Sequence, residues 1–344
     1  MTIEMENKRK KIILAGGGTL GSVSPLLAVA DKYLADYLFV CTENGPERKI
    51  IAKHNIDFVA IKSGKLRRYF SWQNFVDIFK IKLGFFQSIK IIIKFRPDII
   101  LTAGSFVAVP VAWAAWLLRV PVIVHQQDIT VGLANKLMAP VAKKISVIFK
   151  EQEKDFKHSK VVVTGNPTIE NQTETRQKPV VVITGGGIGA RGLNKFVAPF
   201  VPKLLEYYEV HHVLGASNWD QRLKFDNYLP YKFIEQGMVN LLSQADIIIS
   251  RAGMSLISEA ASLKKALILI PMPHSHQERN ASFLAKRNAS LMVREGNPQI
   301  MDRYLDKILT KEELRLGLGR NLSGLFPKNA VNDYIILIDK IVDK

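Results

Sequence analysis

The chain has 344 residues, 47% of them hydrophobic and 23% charged, a composition that is typical of a globular protein and excludes disorder over the whole chain. Its 48 Lys and Arg residues outnumber 31 Asp and Glu residues, and the net charge of +17 favours anionic partners such as phosphate-bearing ligands, acidic membrane surfaces or nucleic acid. The single cysteine, Cys41, excludes an internal disulfide framework and a multi-cysteine metal cluster.

Two stretches of the sequence bear on export and on membrane insertion. Residues Met1 to Lys11 are polar and charged and lack the apolar core of a secretory signal, so we expect the protein to stay in the cytoplasm. The apolar stretch Val107 to Val124 approaches the length of a membrane span but contains two prolines and an arginine. It therefore predicts a helix, Val111 to Leu118, followed by a turn and a buried strand.

Apolar runs in the first part of the chain alternate with helical patterns, which indicates β-α units and a parallel sheet. The predicted strands are Lys11–Ala15, Tyr37–Cys41, Phe58–Ile61, Ile99–Thr102 and Pro121–His125, and the first helical pattern covers Pro25–Leu34. The series restarts after residues 161–167, with predicted strands at Val180–Thr184, Glu209–Leu214, Lys232–Glu235, Ile247–Ser250 and Ala266–Ile270.

This pattern predicts an α/β protein with two doubly wound, Rossmann-like domains. We place them at residues 1–164 and 165–329, with a last segment, 330–344, whose helix at Ala330–Val342 crosses back to the first domain. Ligands of such sheets bind beyond the carboxyl ends of the strands, so two facing domains are expected to form one central cleft.

Each predicted domain opens with a strand, a glycine-rich turn and a helix. Turns of this kind, here Gly16–Gly21 and Gly185–Ala190, can bring backbone N–H groups to a phosphate, but glycine is also needed for purely steric reasons. Neither turn ends in the lysine and hydroxyl residue of a P-loop. Glu43 is the nearest candidate for the acidic ribose ligand of a dinucleotide-binding fold and lies out of register, so an NAD-dependent dehydrogenase is disfavoured.

A more specific signal lies in the second domain, where a predicted strand ends in Ser-Arg-Ala-Gly at residues 250–253 and a helix begins. Glu259 lies in the first turns of that helix, where a carboxylate can accept two hydrogen bonds from a ribose diol; the alternative is a carboxylate exposed to solvent. The next strand leads to the amide-rich segment Ile270–Ala281 at the same edge of the sheet.

In the order and spacing of its motifs the chain resembles the MurG family, the N-acetylglucosaminyltransferases that complete lipid II in peptidoglycan synthesis. The resemblance covers nearly the whole chain and rests on Gly16–Pro25, Ala103–Val107, His125–Asp128, Gly132–Lys136, Thr164–Pro167, Gly185–Asn194, Ala245–Glu259 and Ile270–Ala281. It implies a GT-B fold, UDP-N-acetylglucosamine as the donor, lipid I as the acceptor and inverting transfer of the sugar. No cofactor and no metal are expected, because the sequence has no Asp-x-Asp-type ligand pair.

The resemblance also implies roles for individual residues. On the donor side it points to Thr19, Gly21, Gly185, Gly186, Gly187, Gly189, Ala190, Met238, Glu259, His276, Gln277 and Asn280. In this set the second glycine turn approaches the diphosphate, Glu259 holds the ribose, Met238 lies near the uracil, and Gln277 and Asn280 bind the transferred sugar with His276 beside them. On the acceptor side it points to Gly104, Ser105, Gln127 and Asn135.

The chain departs from the family pattern at residues that matter for catalysis. Ser22 stands where the family has a histidine near the acceptor, and a serine hydroxyl cannot accept a proton at neutral pH without a base of its own. We therefore predict that Asp128, or as a weaker candidate His125, is the general base. The alternative for Asp128 is a cap of the helix around Val131–Leu137.

Other departures affect side-chain donors. Gly187 and Ile188 stand where the family tends to have serine and glutamine, and Ile169 stands where it tends to have arginine. The backbone of the second glycine turn is unaffected by these changes. Two alternatives to the lipid I transferase therefore stay open: a transferase for another lipid-linked acceptor, and a donor-binding protein with reduced or lost catalysis.

Basic and aromatic residues alternate between Lys65 and Arg96, with Asp77 as the single acid among them. Such a segment can lie in an anionic lipid interface, and the alternative is a helix pair with the aromatic residues in its core. The sequence contains no helix-turn-helix, zinc-finger or RNP signature. We thus expect a peripheral protein at the cytoplasmic face of the membrane that binds an anionic membrane surface and no nucleic acid.

Overall fold

The structure is a computed structural model that describes residues 9–64, 73–168, 179–186, 189–234 and 238–343. It divides into two compact units. The first contains Met1–Gln127, Val131–Pro167 and Asn329–Lys344, and the second contains Asp128–Thr130 and Thr168–Lys328. The short segment Asp128–Thr130 thus groups with the second unit although its neighbours in sequence belong to the first.

The first unit is built on a seven-stranded parallel sheet. Its strands are β1 (Lys10–Ala15), β2 (Ala35–Cys41), β3 (Asp57–Ala60), β4 (Ile99–Thr102), β5 (Val122–Gln126), β6 (Lys144–Val147) and β7 (Val161–Val163). They lie in the order β3-β2-β1-β4-β5-β6-β7. The helices between them are α1 (Ser24–Ala30), α2 (Glu47–Lys53), α3 (Gln73–Phe95), α4 (Ala108–Leu117) and α5 (Leu133–Met138).

The second unit has a six-stranded parallel sheet in the order β10-β9-β8-β11-β12-β13. Its strands are β8 (Val180–Thr184), β9 (Glu209–Val213), β10 (Tyr228–Tyr231), β11 (Ile247–Ser250), β12 (Ala266–Leu269) and β13 (Leu291–Met292). Its helices are α6 (Arg191–Val197), α7 (Val201–Leu205), α8 (Met238–Ser243), α9 (Met254–Ser262), α10 (Gln277–Ala285), α11 (Pro298–Thr310) and α12 (Glu312–Leu325). The last helix, α13 (Ala330–Val342), belongs to the first unit.

Helices cover both faces of each sheet, which explains why the central strands are apolar throughout rather than alternating. In the first unit, one apolar cluster joins the sheet to α3, α4 and α5, and another joins the opposite face to α1, α2 and α13. The prediction of two doubly wound, parallel α/β units is confirmed. Among the helices that the structure describes, none combines the length and the apolar character needed to span a bilayer.

Two predicted elements differ from the observed ones by four residues. Glu235, at the end of one of them, lies outside the described residues. The strand predicted at Lys232–Glu235 lies earlier, as β10, where the side chains of Tyr228 and Tyr231 hydrogen-bond to histidines of β9. Pro230 within it is tolerated because β10 is an edge strand. The first helix ends at Ala30 rather than Leu34, and the hydroxyl of Tyr33 beyond it donates to Asp339 of α13 (2.6 Å).

Candidate active site

The second glycine turn follows β8 and leads into α6, all within the second unit. Gly186 and Gly189 have φ angles of +94° and +76°, a region that favours glycine. A Cβ on Gly189 would overlap the carbonyl oxygen of Leu214, whereas a Cβ on Gly186 would meet no atom within 4 Å. Among the described residues, the turn therefore packs tightly at Gly189 and leaves space beside Gly186. The predicted donor residue Gly187 and its neighbour Ile188 lie outside the described residues.

A chain of buried hydrogen bonds holds this turn in place. Asn194 of α6 donates through Nδ2 to the carbonyl of Leu214 (3.0 Å), and its Oδ1 lies 3.1 Å from Nε2 of His212. Because an amide oxygen only accepts, Nε2 of His212 carries the proton, and Nδ1 accepts from the hydroxyl of Tyr228 (2.9 Å). Burial lowers the pKa of His212 to about 4, so the ring is neutral at pH 7. Sequence reasoning did not assign this role to His212 or Asn194.

Arg251, directly after β11, is a further residue that sequence reasoning missed. Its Nη1 donates to the carbonyl oxygens of Ile270 (3.0 Å) and Pro271 (3.2 Å), and its guanidinium pairs with the carboxylate of Glu295. The same pair lies against Gly192, because a Cβ there would approach both side chains to about 3 Å. Arg251 thus ties the ends of β11 and β12 to the helix that follows the glycine turn. The Ser-Arg-Ala-Gly motif was the available signal.

Glu259 lies in α9 and is 8% exposed, so the alternative of a solvent-exposed carboxylate was wrong. Met238, the residue predicted near the uracil, is the first residue of α8 and is half-buried. Both belong to the second unit, as does the second glycine turn. Their contacts with a nucleotide remain predictions.

The loop after β12 brings three predicted sugar-side residues to the start of α10. The side-chain carbonyl of Gln277 accepts from the backbone N–H of Met272 (3.0 Å), which folds the loop back on itself. His276 directly precedes α10 and is exposed. Asn280, one turn further, is completely buried.

Asp128 faces this helix start. Its Oδ1 accepts a hydrogen bond from Nδ2 of Asn280 (2.9 Å), and its Oδ2 lies 3.6 Å from Nε2 of His276. About a third of the Asp128 side chain is exposed (34%), so the carboxylate remains accessible. The alternative role as a helix cap was wrong, because Gly132 occupies the N-cap position of α5.

The first glycine turn, in the first unit, contains a carboxylate of the chain itself. The fully buried Glu47 accepts hydrogen bonds from the backbone N–H of Gly18 (3.2 Å) and from the N–H and hydroxyl of Thr42 (3.1 and 2.5 Å). A Cβ on Gly17 would overlap that carboxylate. Thr19 and Gly21, predicted on the donor side, lie in this turn. Their turn already has an anion in contact with its backbone.

Ser22 directly follows this turn, is the remaining catalytic candidate there, and is buried. Its hydroxyl lies 3.2 Å from the carbonyl oxygen of Thr19 and 3.4 Å from that of Gly17, so it is engaged as a donor to the backbone. The structure shows no partner in the described residues that would accept its proton other than these carbonyls. This geometry agrees with the absence of a base at position 22.

The predicted acceptor-side residues lie together at the ends of β1, β4 and β5. Ser105 has a φ angle of +87° and donates to the carbonyl of Gly17 (2.8 Å), and Gln127 donates to the carbonyl of Gly21 (2.9 Å). Asn135 donates to the backbone carbonyl of His125 (3.1 Å), and its Oδ1, beside Gly104, has no hydrogen-bond partner among the described residues. Side chains therefore join the glycine turn after β1 to the loops after β4 and β5.

His125 is completely buried in β5. Its Nε2 lies 2.8 Å from Oδ1 of Asn166 and its Nδ1 lies 2.8 Å from Oγ of Ser146, so both ring nitrogens are engaged. Burial lowers its pKa to about 4. A buried ring with both nitrogens engaged does not fit the role of a base in contact with substrate, and Asp128 remains the candidate.

Two parallel Rossmann-like units, the second with a glycine turn and a buried carboxylate, are the architecture of the GT-B fold class. Residues 12–147 match the model of the glycosyltransferase family 28 N-terminal domain, and residues 180–318 match that of the family 28 C-terminal domain. The chain belongs to the MurG family within glycosyltransferase family 28. The resemblance inferred from the motifs is thereby confirmed.

The individual relatives support the same assignment. The chain is 36% identical to the UDP-N-acetylglucosamine--N-acetylmuramyl-(pentapeptide) pyrophosphoryl-undecaprenol N-acetylglucosamine transferase of Clostridium novyi, over 96% of this chain and 98% of the relative. A Clostridium botulinum protein of the same description is 38% identical over 91% of this chain and 92% of the relative. Among solved structures, MurG of Acinetobacter baumannii matches with a TM-score of 0.72 and 25% identity, over 96% of this chain and 99% of that one.

Proposed function

We propose that the protein transfers N-acetylglucosamine from UDP-N-acetylglucosamine to lipid I, the muramoyl-pentapeptide diphosphate of undecaprenol, and so forms lipid II. The activity is that of the relatives described above. The observation that carries it over to this chain is the arrangement of the second unit. An open glycine turn, the buried Glu259 and the His276–Gln277 loop follow strands β8, β11 and β12, whose carboxyl ends share one edge of the sheet.

In this proposal the donor is held by the second unit. Backbone N–H groups of the turn at residues 185–190 hydrogen-bond to the diphosphate, and Glu259 accepts from the ribose hydroxyls. Gln277 has its side-chain carbonyl committed to Met272, which leaves its NH₂ group to donate to a sugar hydroxyl. Met238 contacts the uracil. These contacts orient the anomeric carbon for attack by the acceptor.

Asp128 is the proposed general base. The acceptor hydroxyl attacks the anomeric carbon while its proton passes to a carboxylate oxygen of Asp128. The bond between that carbon and the diphosphate oxygen breaks, and UDP leaves with the electron pair. Attack from the face opposite the leaving group inverts the anomeric configuration. The N–H groups at the turn stabilise the negative charge that develops on the leaving diphosphate.

The test is UDP release from UDP-N-acetylglucosamine with and without a short-chain lipid I analogue in detergent. We expect acceptor-dependent release, and we expect Asp128→Asn to lower kcat by about 10²–10⁴-fold, the usual contribution of a general base. Asp128→Asn with wild-type turnover would exclude Asp128 as the base. Donor binding without release would favour the non-catalytic alternative, and release only with a different lipid-linked sugar would favour another acceptor.

We further propose that the first unit binds an anionic membrane surface through α3 and α4. Four large apolar side chains of α3 are exposed, at Phe79, Leu83, Phe86 and Ile93, and α4 exposes Trp113, Trp116 and Leu117. The spacing of the α3 residues places them along one stripe of the helix. Lys80, Lys82, Lys90 and Lys94 are exposed on the same helix, so apolar and basic groups occur together. Part of the predicted basic–aromatic segment, residues 65–72, lies outside the described residues.

Vesicle flotation tests this surface. Trp116→Ser combined with Phe86→Ser is expected to lower the partition onto vesicles with anionic lipid by at least about tenfold. The double variant lacks two large apolar side chains that the wild type can bury in the lipid. Leu316→Ser is the matched control, since Leu316 is similarly exposed but lies in the second unit. Equal partition of all three proteins would contradict the proposed surface. Equal binding of the wild type to neutral and anionic vesicles would exclude a contribution of the basic residues to membrane binding.

A further inference from the structure

The ion pair between Arg251 and Glu295 joins distant parts of the second unit. Arg251 directly follows β11, and Glu295 lies between β13 and α11. The side chains are 11% and 25% exposed, so both charges are largely shielded from water. An ion pair in such a place fixes its partners more firmly than one on the open surface, because competing water is scarce.

Arg251 also connects two loops at the carboxyl edge of the sheet. Its backbone N–H donates to the carbonyl of Thr184 (3.3 Å), the last residue before the second glycine turn. Its Nη1 donates to the carbonyl oxygens of Ile270 (3.0 Å) and Pro271 (3.2 Å). These two residues begin the sugar-side loop, residues 270–277, which leads into α10. One side chain therefore links the turn proposed for the diphosphate to the loop proposed for the sugar.

The ion pair also packs against Gly192, in the first turn of α6. A Cβ at this glycine would lie 2.9 Å from Oε1 of Glu295 and 3.0 Å from Nη2 of Arg251. Gly192 has a helical backbone, so its conformation does not require glycine, and alanine is the better helix former. What the glycine provides is room for the ion pair beside the helix that follows the turn.

The planar guanidinium explains what Glu295 adds. Arginine offers several N–H donors in one rigid plane, so a partner at one nitrogen sets the direction of the others. With the carboxylate of Glu295 at Nη2, the plane is oriented so that Nη1 points at the two carbonyl oxygens of the sugar-side loop. Without Glu295 the side chain loses the contact that fixes this orientation.

We propose that Glu295 is a positioning residue of the donor site, which through Arg251 holds the sugar-side loop in place relative to the second glycine turn. This inference rests on the proposed function, which assigns the turn to the diphosphate and the loop to the sugar. UDP carries the diphosphate without the sugar and needs the turn alone. UDP-N-acetylglucosamine needs the turn and the loop together, so a displaced loop weakens its binding more than that of UDP.

Calorimetric titration with UDP and with UDP-N-acetylglucosamine measures this difference. In Glu295→Ala we expect the ratio of the two affinities to shift against the sugar nucleotide by at least about fivefold, because misplacement by about 1 Å has large effects at such sites. The affinity for UDP should stay within about twofold of the wild type. Asp302→Asn is the matched control, since the ion pair of Asp302 with Lys203 (2.6 Å) joins α11 to α7 instead. It should leave the ratio unchanged.

Gly192→Ala displaces the same ion pair from the other side. The atoms that its Cβ would meet are the ends of two long side chains, which can move aside. We therefore expect a melting temperature near that of the wild type, together with a shifted affinity ratio. In the Glu295→Ala background the added methyl group should shift the ratio no further, because the carboxylate that it would displace is absent. Additive shifts would show that the methyl group acts on the turn directly and not through the ion pair.

An unchanged affinity ratio in Glu295→Ala, with a lowered melting temperature, would overturn the inference, because the ion pair would then serve the fold alone. If Glu295→Ala does not fold, Glu295→Gln keeps the size and removes the charge, and the same two outcomes decide. A wild type that binds neither nucleotide refutes the proposed function, and the inference with it. Wild-type binding of both nucleotides with no shift in the variants refutes the inference alone, so the two failures are distinguishable.

Discussion

The two glycine turns occur at equivalent places, after β1 in the first unit and after β8 in the second, yet they differ in what they contain. The first turn surrounds the carboxylate of Glu47, which accepts hydrogen bonds from the N–H of Gly18 and from the N–H and hydroxyl of Thr42. In the second turn, the space beside Gly186 is open and its N–H donates to Oγ1 of Thr184 (3.1 Å). An anion site that is satisfied internally and one that is left open can thus arise from similar sequences.

The comparison explains why the donor diphosphate is assigned to the second turn only. A second anion beside the buried Glu47 would be repelled at short range, and the N–H of Gly18 is already engaged. The donor contacts of Thr19 and Gly21 stay predictions. The first turn instead has a structural role: its Gly17 carbonyl accepts from both Ser22 and Ser105 and so joins β1 to β4.

For the comparison between the two turns, the largest effect is expected from Gly189→Ala in the second turn. Alanine at a φ of +76° is strained by about 1–2 kcal/mol, and its Cβ would also overlap the carbonyl of Leu214, so the turn must move. A displacement of about 1 Å costs about 100-fold in rate, and we expect at least that loss in kcat/KM for the donor. Gly186→Ala is the control with strain but without overlap. UDP binding by calorimetry that equals the wild type in Gly189→Ala would contradict the assignment.

Glu47→Ala tests the first turn and is expected to affect stability rather than donor binding. It leaves the N–H groups of Gly18 and Thr42 without their acceptor, which should lower the free energy of unfolding by about 2–3 kcal/mol with the donor KM unchanged. Inorganic phosphate should raise the melting temperature of this variant more than that of the wild type, because it can occupy the vacated place. A raised donor KM at unchanged stability would reverse the comparison between the turns.

Acid should destabilise both units through one buried histidine in each. Burial lowers the pKa of His125 and of His212 to about 4, below the ordinary value of 6.5, so the unfolded chain binds more protons between these pH values. The contribution of each neutral histidine to the free energy of unfolding is therefore fully present above about pH 6.5. It is lost as the pH falls towards 4, by on the order of 3 kcal/mol for each histidine.

Denaturant unfolding at pH 7.5 and pH 4.5 measures this loss. We expect a smaller loss between the two pH values in His125→Gln and in His212→Gln than in the wild type. In His212→Gln the donor KM should also rise, because Asn194 beside the second glycine turn loses its partner. A pH dependence that neither substitution changes would show that other groups dominate acid unfolding.

The succession of strands, turns and helices could be predicted because strands buried on both faces are continuous apolar runs, and each is followed by glycine or a polar loop. The edge strand β10 was misplaced because Pro230 argues against a strand unless the edge position is known. The roles of Glu47 and Asn194 could not be predicted. Each depends on contacts with backbone groups that approach it only in the folded chain, and periodicity carries no information about such approaches.

The smallest predicted effect concerns the hydrogen bond between Ser105, in the loop after β4, and the glycine turn after β1. Ser105 adopts a φ of +87°, which costs about 1 kcal/mol in a residue with a Cβ, and its hydroxyl donates to the carbonyl of Gly17. Ser105→Gly removes both the strain and the bond, so its stability should stay within about 0.5 kcal/mol of the wild type. Ser105→Ala keeps the strain and loses the bond, and should be less stable by about 1 kcal/mol. If the hydrogen bond serves to hold Gly17 for the acceptor, both variants lose turnover with lipid I to a similar extent despite their different stabilities. Turnover that follows stability instead would mean that the strained serine contributes only to the fold.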